Sequence, residues 1–255
     1  MTGPAAPGDG PRLGAVILAA GLGTRLGPHT DHRPKCLLDV GGLSIAERAR
    51  AALAEAGARA TVFVVGHRAA QIRRAVAGPG VGFAVNDDFR TTSTAWSAAV
   101  GLRHLARTAE VDRVVLIEGD VVFDRALLRS LIEADAPDVT LVEPWRPEID
   151  GSTVVLGPDD RVLAWTHTAD RTDRFSPGQS WKLVNLHVMS PQTAFGGLLE
   201  AAADPGHRTR SLEYVLGREG ISHAGFRAVP TRGRRWVEVD DGADLERARA
   251  LFGPS

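Results

Sequence analysis

Residues 15–35 read AVILAAGLGTRLGPHTDHRPK: an apolar run, Ala15 to Leu18, passes directly into a loop, Ala19 to Gly27, that carries three glycines. An apolar strand feeding a Gly-rich loop suits an α/β sheet, where ligands sit beyond the carboxyl ends of the strands. Glycine lacks the Cβ that would block close backbone approach, and it tolerates the positive φ values that an amide cradle needs. The N–H groups of such a cradle bind polyphosphate oxygens, and Arg25 and Lys35 in the same stretch can neutralise them.

Spacing excludes two common phosphate motifs. No Gly-Lys-Ser/Thr follows the loop, so it is not a Walker A sequence. Gly21, Gly23 and Gly27 give G-x-G-x-x-x-G, one residue too long for the dinucleotide fingerprint. The lysine census points the same way as the loop. The chain has 28 arginines and only two lysines, Lys35 and Lys182. A composition that prefers arginine for generic positive charge keeps a compact, mobile ammonium at two places, which suits a phosphate oxygen approached as a point charge.

A length of 255 residues allows one large α/β domain or two small ones. A net charge of −1 without a basic stripe argues against nucleic acid as a partner. The single cysteine, Cys36, rules out a disulfide framework and a cysteine zinc cluster, and packing is its expected role. No apolar run reaches membrane-spanning length and the N-terminus lacks the pattern of a signal peptide, so the expected location is cytoplasmic. Met1 to Pro11, rich in Gly, Pro and Ala, reads as a disordered lead-in to one domain over residues 12–255.

Strand patterns at Leu13–Leu18, Ala60–Val65, Val81–Val85 and Arg113–Ile117 alternate with helical patterns at Ile45–Ala56, Ala69–Ala77 and Ala95–Arg107. Ser44 and Glu47 make a capping box for the first helix. This alternation predicts a mainly parallel central sheet flanked by helices, with the loops Ala19–Lys35, Asn86–Trp96 and Glu118–Phe123 converging at one edge. Residues 138–188 contain short strands instead, Val139–Glu143, Thr153–Leu156, Val162–Thr166 and Leu183–Val188, around a polar segment between Thr166 and Trp181. That region, about 144–190, reads as a small β-rich insertion covering the substrate, with the polar segment as a mobile flap. Helical patterns follow at Pro191–Ala202 and Ser211–Arg218, then a strand at Trp236–Asp240 and a closing helix from about Ala243 to Leu251.

The acids at two strand ends carry the metal expectation. Glu118-Gly-Asp120 closes the strand VVLI, and a carboxylate there can hold Mg2+ against triphosphate oxygens. In the extended segment Trp236–Asp241, Glu238 and Asp240 point to one face, because strand side chains have period two. Asp120, Glu238 and Asp240 are therefore the predicted ligands, and Asp241 the predicted cap of the last helix.

The whole string LAAGLGTRL…RPK resembles the nucleotidyltransferase superfamily, and the resemblance runs from Ala15 to Leu251. Those enzymes join an NTP to a phosphate-bearing acceptor and release pyrophosphate. The resemblance implies a Rossmann-like fold, with nucleotide contacts from Leu18, Ala19, Ala20, Gly21, Gly23, Thr24, Arg25 and Lys35, completed by Asn86, Thr92, Ser93 and Asp120. Sugar-1-phosphate enzymes usually carry a Gln and then Gly-Thr where this chain has Asn86 and a Ser/Thr-rich turn. That turn is more similar to the phosphocholine and phosphonate cytidylyltransferases, which implies CTP. Trp181-Lys182-x-x-Asn185 resembles the acceptor element of the phosphonate enzymes, which implies that Lys182 binds the phosphonate and Asn185 supports it. Arg25, Lys35 and Lys182 are then the expected catalytic cations.

The acceptor's tail is left open by the residues. Trp145, Trp165 and Trp181 suit a choline cage. Arg146, His167, Arg171 and Arg174 in the same region suit a carboxylate. The favoured acceptor is a small phosphonate such as phosphonoformate, 2-hydroxyethylphosphonate or 2-aminoethylphosphonate. Phosphocholine or a sugar 1-phosphate is the alternative within the enzyme class, and a non-catalytic nucleotide sensor is the alternative outside it. Oligomeric state, monomer or homodimer, is open.

Overall fold

The computed structural model describes residues 10–146, 151–166, 180–218, 221 and 225–253. Most of the expected lead-in, residues 1–9, and nearly all of the expected flap, residues 167–179, lie outside the described residues. In chain order the strands are β1 (Leu13–Ala19), β2 (Asp39–Val40), β3 (Leu43–Ser44), β4 (Ala58–Val65), β5 (Val81–Val85), β6 (Arg113–Glu118), β7 (Val121–Phe123), β8 (Val139–Pro144), β9 (Thr153–Leu156), β10 (Val162–Thr166), β11 (Ser180–Met189), β12 (Arg227–Pro230) and β13 (Trp236–Glu238). The α-helices are α1 (Ile45–Glu55), α2 (Ala69–Val76), α3 (Thr94–Thr108), α4 (Arg125–Ile132), α5 (Glu200–Ala203), α6 (Leu212–Leu216) and α7 (Gly242–Phe252).

The central sheet runs β10-β9-β11-β6-β1-β4-β5, with β8 on β11 and β12 on β8. β6, β1, β4 and β5 are parallel, as βαβ connections require. β11 then reverses direction against β6, and β9 and β10 extend the sheet antiparallel beyond it. The mixed, mainly parallel architecture is the one the alternation predicted. β7, α4 and β12 were not among the expected elements. Residues 118–123 were read as a loop because VVF is too short to signal a strand, yet it pairs antiparallel with β13, Glu238 opposite Val121.

β1 shows why the sheet is buried on both faces. Val16 and Leu18 enter one apolar cluster with the alanines of α3, while Ala15, Ile17 and Ala19 enter another with α1, α2 and α4. Period-two alternation thus gives apolar side chains on both sides, as in a doubly covered parallel sheet. A third cluster joins Leu26 of the Gly-rich loop to Val122, Val237, Val239 and Leu245. It fastens the loop, the β7–β13 ladder and α7 together at the carboxyl edge. Among the described residues no helix is long and apolar enough to cross a membrane.

Gly101 lets α3 lie directly on the sheet. A Cβ there would collide with Val16 and stand 2.6 Å from Val64 Cγ2. Gly101→Ala gains about 1 kcal/mol of helix propensity but overpacks a filled core at a cost of about 1–3 kcal/mol. The expected net result is a lowered urea midpoint at unchanged m-value. A raised midpoint would show that the sheet relaxes freely under α3.

Candidate active site

The site forms where the ends of β1 and β6 meet the β7–β13 ladder. Gly119 N–H donates to Leu18 O at 2.9 Å, so the chain leaving β6 stays against β1. Val239 N–H donates to Asp120 O at 3.0 Å, which holds the end of β13 beside Asp120. The Gly-rich loop turns through Gly23, whose φ of 68° is left-handed, into a short helical stretch at Thr24–Thr30. The Thr30 hydroxyl closes this loop by donating to the carbonyls of Gly23 and Gly27, each at 3.1 Å.

Glu118, Asp120 and Glu238 converge, each offering one carboxylate oxygen within 4.8 Å of the others. Glu118 Oε1 and Asp120 Oδ1 are buried without a hydrogen-bond partner, and so is Asn185 Oδ1 beside them. Asn185 stands in the left-handed region, φ 60°, where the register of β11 against β8 slips between Leu183 and His187. That conformation is tolerated by Asn better than by most residues. It brings Nδ2 to 3.4 Å from both Glu118 Oε2 and Glu238 Oε1.

Each lysine of the chain ion-pairs with this triad. Lys35 Nζ lies 2.8 Å from Asp120 Oδ2 and 2.7 Å from Asp240 Oδ1. Lys182, 1% exposed, places Nζ 2.7 Å from Glu238 Oε2. Burial works to lower the Lys35 pKa, but the charges of Asp120 and Asp240 and their hydrogen bonds outweigh it and raise it. Glu118 is pushed well above the ordinary carboxylate range by burial first, then by repulsion from Glu213, Asp120 and Glu238. Glu238 is raised as well, chiefly by burial, against the opposing pull of Lys182. Asp240 is net lowered: burial opposes ionisation, and Lys35 and then Arg25 overcome it.

Three buried oxygens without donors, surrounded by carboxylates that resist ionising together, fit a hard divalent cation bound through oxygen. The grouping differs in composition from the predicted ligand set. Asp120 and Glu238 are shared, Glu118 joins them, and Asp240 is engaged by Lys35 and by Arg25 Nη2 at 2.8 Å. Glu118 was legible only as the strand-ending partner of Asp120. Nothing in the sequence says that its side chain turns inward, because that depends on the antiparallel neighbour β11.

Two cavities share this wall. A smaller one, about 320 Å3, is framed by the Gly-rich loop, with Leu18, Ala19, Ala20, Gly21, Gly23 and Thr24 on one side and Thr92, Ser93 and Ser97 on the other. A larger, mostly polar one, about 850 Å3, lies beyond the triad and is lined by Lys182, Asn185, Arg146, Glu213 and Trp236. Arg25, Lys35, Glu118, Asp120 and Asp240 border both.

Asn86 lies behind the smaller cavity, 1% exposed. Its Nδ2 donates to Thr92 Oγ1 and Ser97 Oγ, both at 3.1 Å, so it shapes the turn from beneath. Ser93 is the N-cap of α3 but makes no side-chain cap bond. Asp241 does cap α7, accepting from Asp244 N–H at 3.0 Å. Trp165 stacks edge-on against Phe226 in the core, with ring centroids 5.3 Å apart, and Trp181 packs against the same cluster. Neither of these tryptophans lines either of these two cavities, whereas Trp236 lines the larger. Arg146 lines the larger cavity and pairs with Glu143 at 3.1 Å. His167, Arg171 and Arg174 lie outside the described residues.

This fold and this edge define an NTP transferase domain: residues 15–207 match the MobA-like NTP transferase domain, and the chain belongs to that family. It is 31% identical over 249 residues to the CMP-5'-(3-aminopropyl)phosphonate synthase of Streptomyces rubellomurinus, covering 94% of this chain and 39% of that protein. The chain thus spans about two fifths of that relative's length. It is 27% identical over 146 residues to the choline-phosphate cytidylyltransferase of Streptococcus pneumoniae, covering 57% of this chain and 59% of that protein. The solved CTP:phosphocholine cytidylyltransferase of Streptococcus pneumoniae superposes with a TM-score of 0.74 at 19% identity, over 94% of this chain and 99% of that one. The inositol-1-phosphate CTP transferase of T. maritima gives 0.76 at 21%, over 94% of each chain. Both solved structures share the fold.

Divalent cation binding is directly measurable. Mn2+ titrated into the protein is expected to bind, and Glu118→Gln and Asp120→Asn each to weaken binding at least about tenfold. Because Glu118 and Glu238 hold protons above the usual carboxylate range, binding should release protons and weaken as pH falls from neutrality, before an ordinary carboxylate would titrate. A pH-independent affinity from pH 5 to 8 would separate the metal from these groups.

Proposed function

We propose that the chain is a Mg2+-dependent cytidylyltransferase that couples CMP from CTP to a small phosphonate and releases pyrophosphate. The observation that carries this reading is the convergence of both lysines in a 28-arginine chain on one carboxylate triad, Lys35 where the two cavities meet and Lys182 on the larger one. Two separate anion sites meeting at a cation-binding edge suit the joining of two phosphorus-bearing substrates. The smaller cavity, with its amide loop and hydroxyl-rich turn, takes the nucleotide, and the larger takes the acceptor. The named activities of the Streptomyces and pneumococcal relatives support CTP as the nucleotide and a phosphonate or phosphate as the acceptor.

The acceptor's phosphonate oxygen attacks the α-phosphorus of CTP in line. A new P–O bond forms, the bridge between the α- and β-phosphorus breaks, and its electron pair leaves with pyrophosphate. The nucleophile is already an anion near neutral pH, so no general base is required. Two unit charges at about 4 Å repel by about 4 kcal/mol at an effective dielectric of about 20. Lys35 on the nucleotide side and Lys182 on the acceptor side lower that repulsion, and Arg25, exposed at the cavity rim, meets the departing pyrophosphate. Glu118, Asp120 and Glu238 would hold Mg2+, whose charge would stabilise the triphosphate oxygens.

Pyrophosphate release from the four NTPs with Mg2+, against phosphonoformate, 2-hydroxyethylphosphonate, 2-aminoethylphosphonate, phosphocholine and glucose 1-phosphate, tests this directly. CTP with a phosphonate is the expected productive pair, and release only with glucose 1-phosphate would refute it. Lys35→Ala is expected to lower kcat at least about 100-fold, in line with the loss of a transition-state donor. A loss below about tenfold would remove Lys35 from the transition state.

A further inference from the structure

The Ser/Thr-rich turn between β5 and α3 edges the smaller cavity through Thr92 and Ser93, yet part of what holds it comes from far along the chain. Asp88 is the hub of this turn. Its N–H donates to Asn86 Oδ1 at 3.1 Å, and its carbonyl accepts from Thr92 N–H at 3.1 Å and from the Thr92 hydroxyl at 2.9 Å. Its carboxylate pairs with Arg208, Oδ2 to Nη2 at 2.6 Å.

Arg208 holds the turn at both ends. Its carbonyl accepts from Ser93 N–H at 2.8 Å, and its guanidinium lies 4.1 Å from the centre of the Trp96 ring, in the first turn of α3. The residues after it continue the contact: Arg210 O accepts from Ala95 N–H at 3.4 Å, and Leu212 N–H donates to Thr94 Oγ1 at 2.8 Å. Ala95 N–H is one of the donors that an N-cap side chain ordinarily satisfies. Residues 208–212 answer it instead, so the Ser93 hydroxyl makes no cap bond and is left on the wall that both cavities share.

Asp88, Trp96 and Arg208 themselves line neither of these two cavities. The side chains of Arg208 and Asp88 are 37% and 54% exposed. Exposed ion pairs and cation–π contacts contribute little to global stability. Three contacts from one residue onto one turn therefore act on local order rather than on the fold.

We propose that Arg208 is a positioning residue for the nucleotide: it clamps the turn between Asp88 and the start of α3, so that the hydroxyls of Thr92 and Ser93 stand ready on the cavity wall. It acts through Asp88, Ser93 and Trp96 and touches no substrate. This assignment rests on the reading of the smaller cavity as the nucleotide site.

The apparent affinity of a site falls with the fraction of protein that holds the binding conformation. Arg208→Ala is therefore expected to raise the KM for CTP at least about fivefold, with kcat, the KM for the acceptor and the Mn2+ affinity each retained within about twofold. The melting temperature should fall by no more than about 4 °C. Asp88→Asn, which breaks the same tie from the other side, should also raise the KM for CTP, and the double variant should raise it no further than Arg208→Ala alone. An unchanged KM for CTP in Arg208→Ala overturns the assignment, as does a loss of kcat and melting temperature at constant KM, the mark of a merely structural contact. Asp88→Asn without effect overturns it in favour of a direct contact between Arg208 and the nucleotide. If no acceptor supports pyrophosphate release, calorimetric titration of CTP with Mg2+ reads the clamp on its own. Weaker binding in Arg208→Ala then sustains the clamp although the proposed reaction falls, equal binding overturns it, and a wild type that binds no nucleotide overturns both.

Discussion

Carboxylates buried side by side repel one another, and the catalytic edge of this protein is organised around that repulsion. Glu118, Asp120 and Glu238 arrive from the end of β6, the turn after it and the end of β13. Their close approach is sustained by Lys35 and Lys182 and by the amide of Asn185. Removing one partner of such a buried pair leaves an uncompensated charge, with a penalty of about 3–5 kcal/mol. The same network that makes the site usable is therefore also a point at which the fold is vulnerable.

The surrounding packing exists to hold that arrangement. The β7–β13 ladder is only three pairs long, too short to be stable alone. It persists because Val122 and Val237 are buried with Leu26, Leu38 and Leu245, which couples the Gly-rich loop and α7 to the same unit. Loop, ladder and C-terminal helix consequently act as one piece at the edge of the sheet. The left-handed Asn185 is a second accommodation, since an extended residue there would not present its amide to both Glu118 and Glu238. The structure thus accepts local backbone strain where the side-chain geometry requires it.

A division of labour follows between the two cavities. On the side proposed for the nucleotide the groups offered are backbone amides, hydroxyls and cations such as Arg25, 68% exposed at its side chain. On the side proposed for the acceptor Lys182 is buried and paired with Glu238, while Arg146 is exposed and paired with Glu143. A shared nucleotide calls for a generic cradle, whereas an acceptor must be told from its analogues. Discrimination of that kind comes from buried polar groups that only the correct ligand satisfies.

The sequence alone determined the parallel half of the fold, because its signals are local. Apolar periods of two and of 3.6 placed β1, β5, α1 and α3 close to their observed limits, and the capping box Ser44–Glu47 forms as written. It also determined the chemistry on offer: a glycine loop, two scarce lysines and two acidic strand ends. Which carboxylates meet was decided by tertiary structure. Asp240 follows the period-two rule toward the cavity, but Lys35 and Arg25 reach it first, while Glu118 turns inward beneath Asn185. Trp165 and Trp181, plausible as a choline cage on the page, are partly buried and pack one side against the apolar core. Arg208 sits in a polar stretch whose sequence shows an ordinary surface arginine. Its hold on Asp88 and Trp96 joins residues more than a hundred positions apart, which no local pattern encodes.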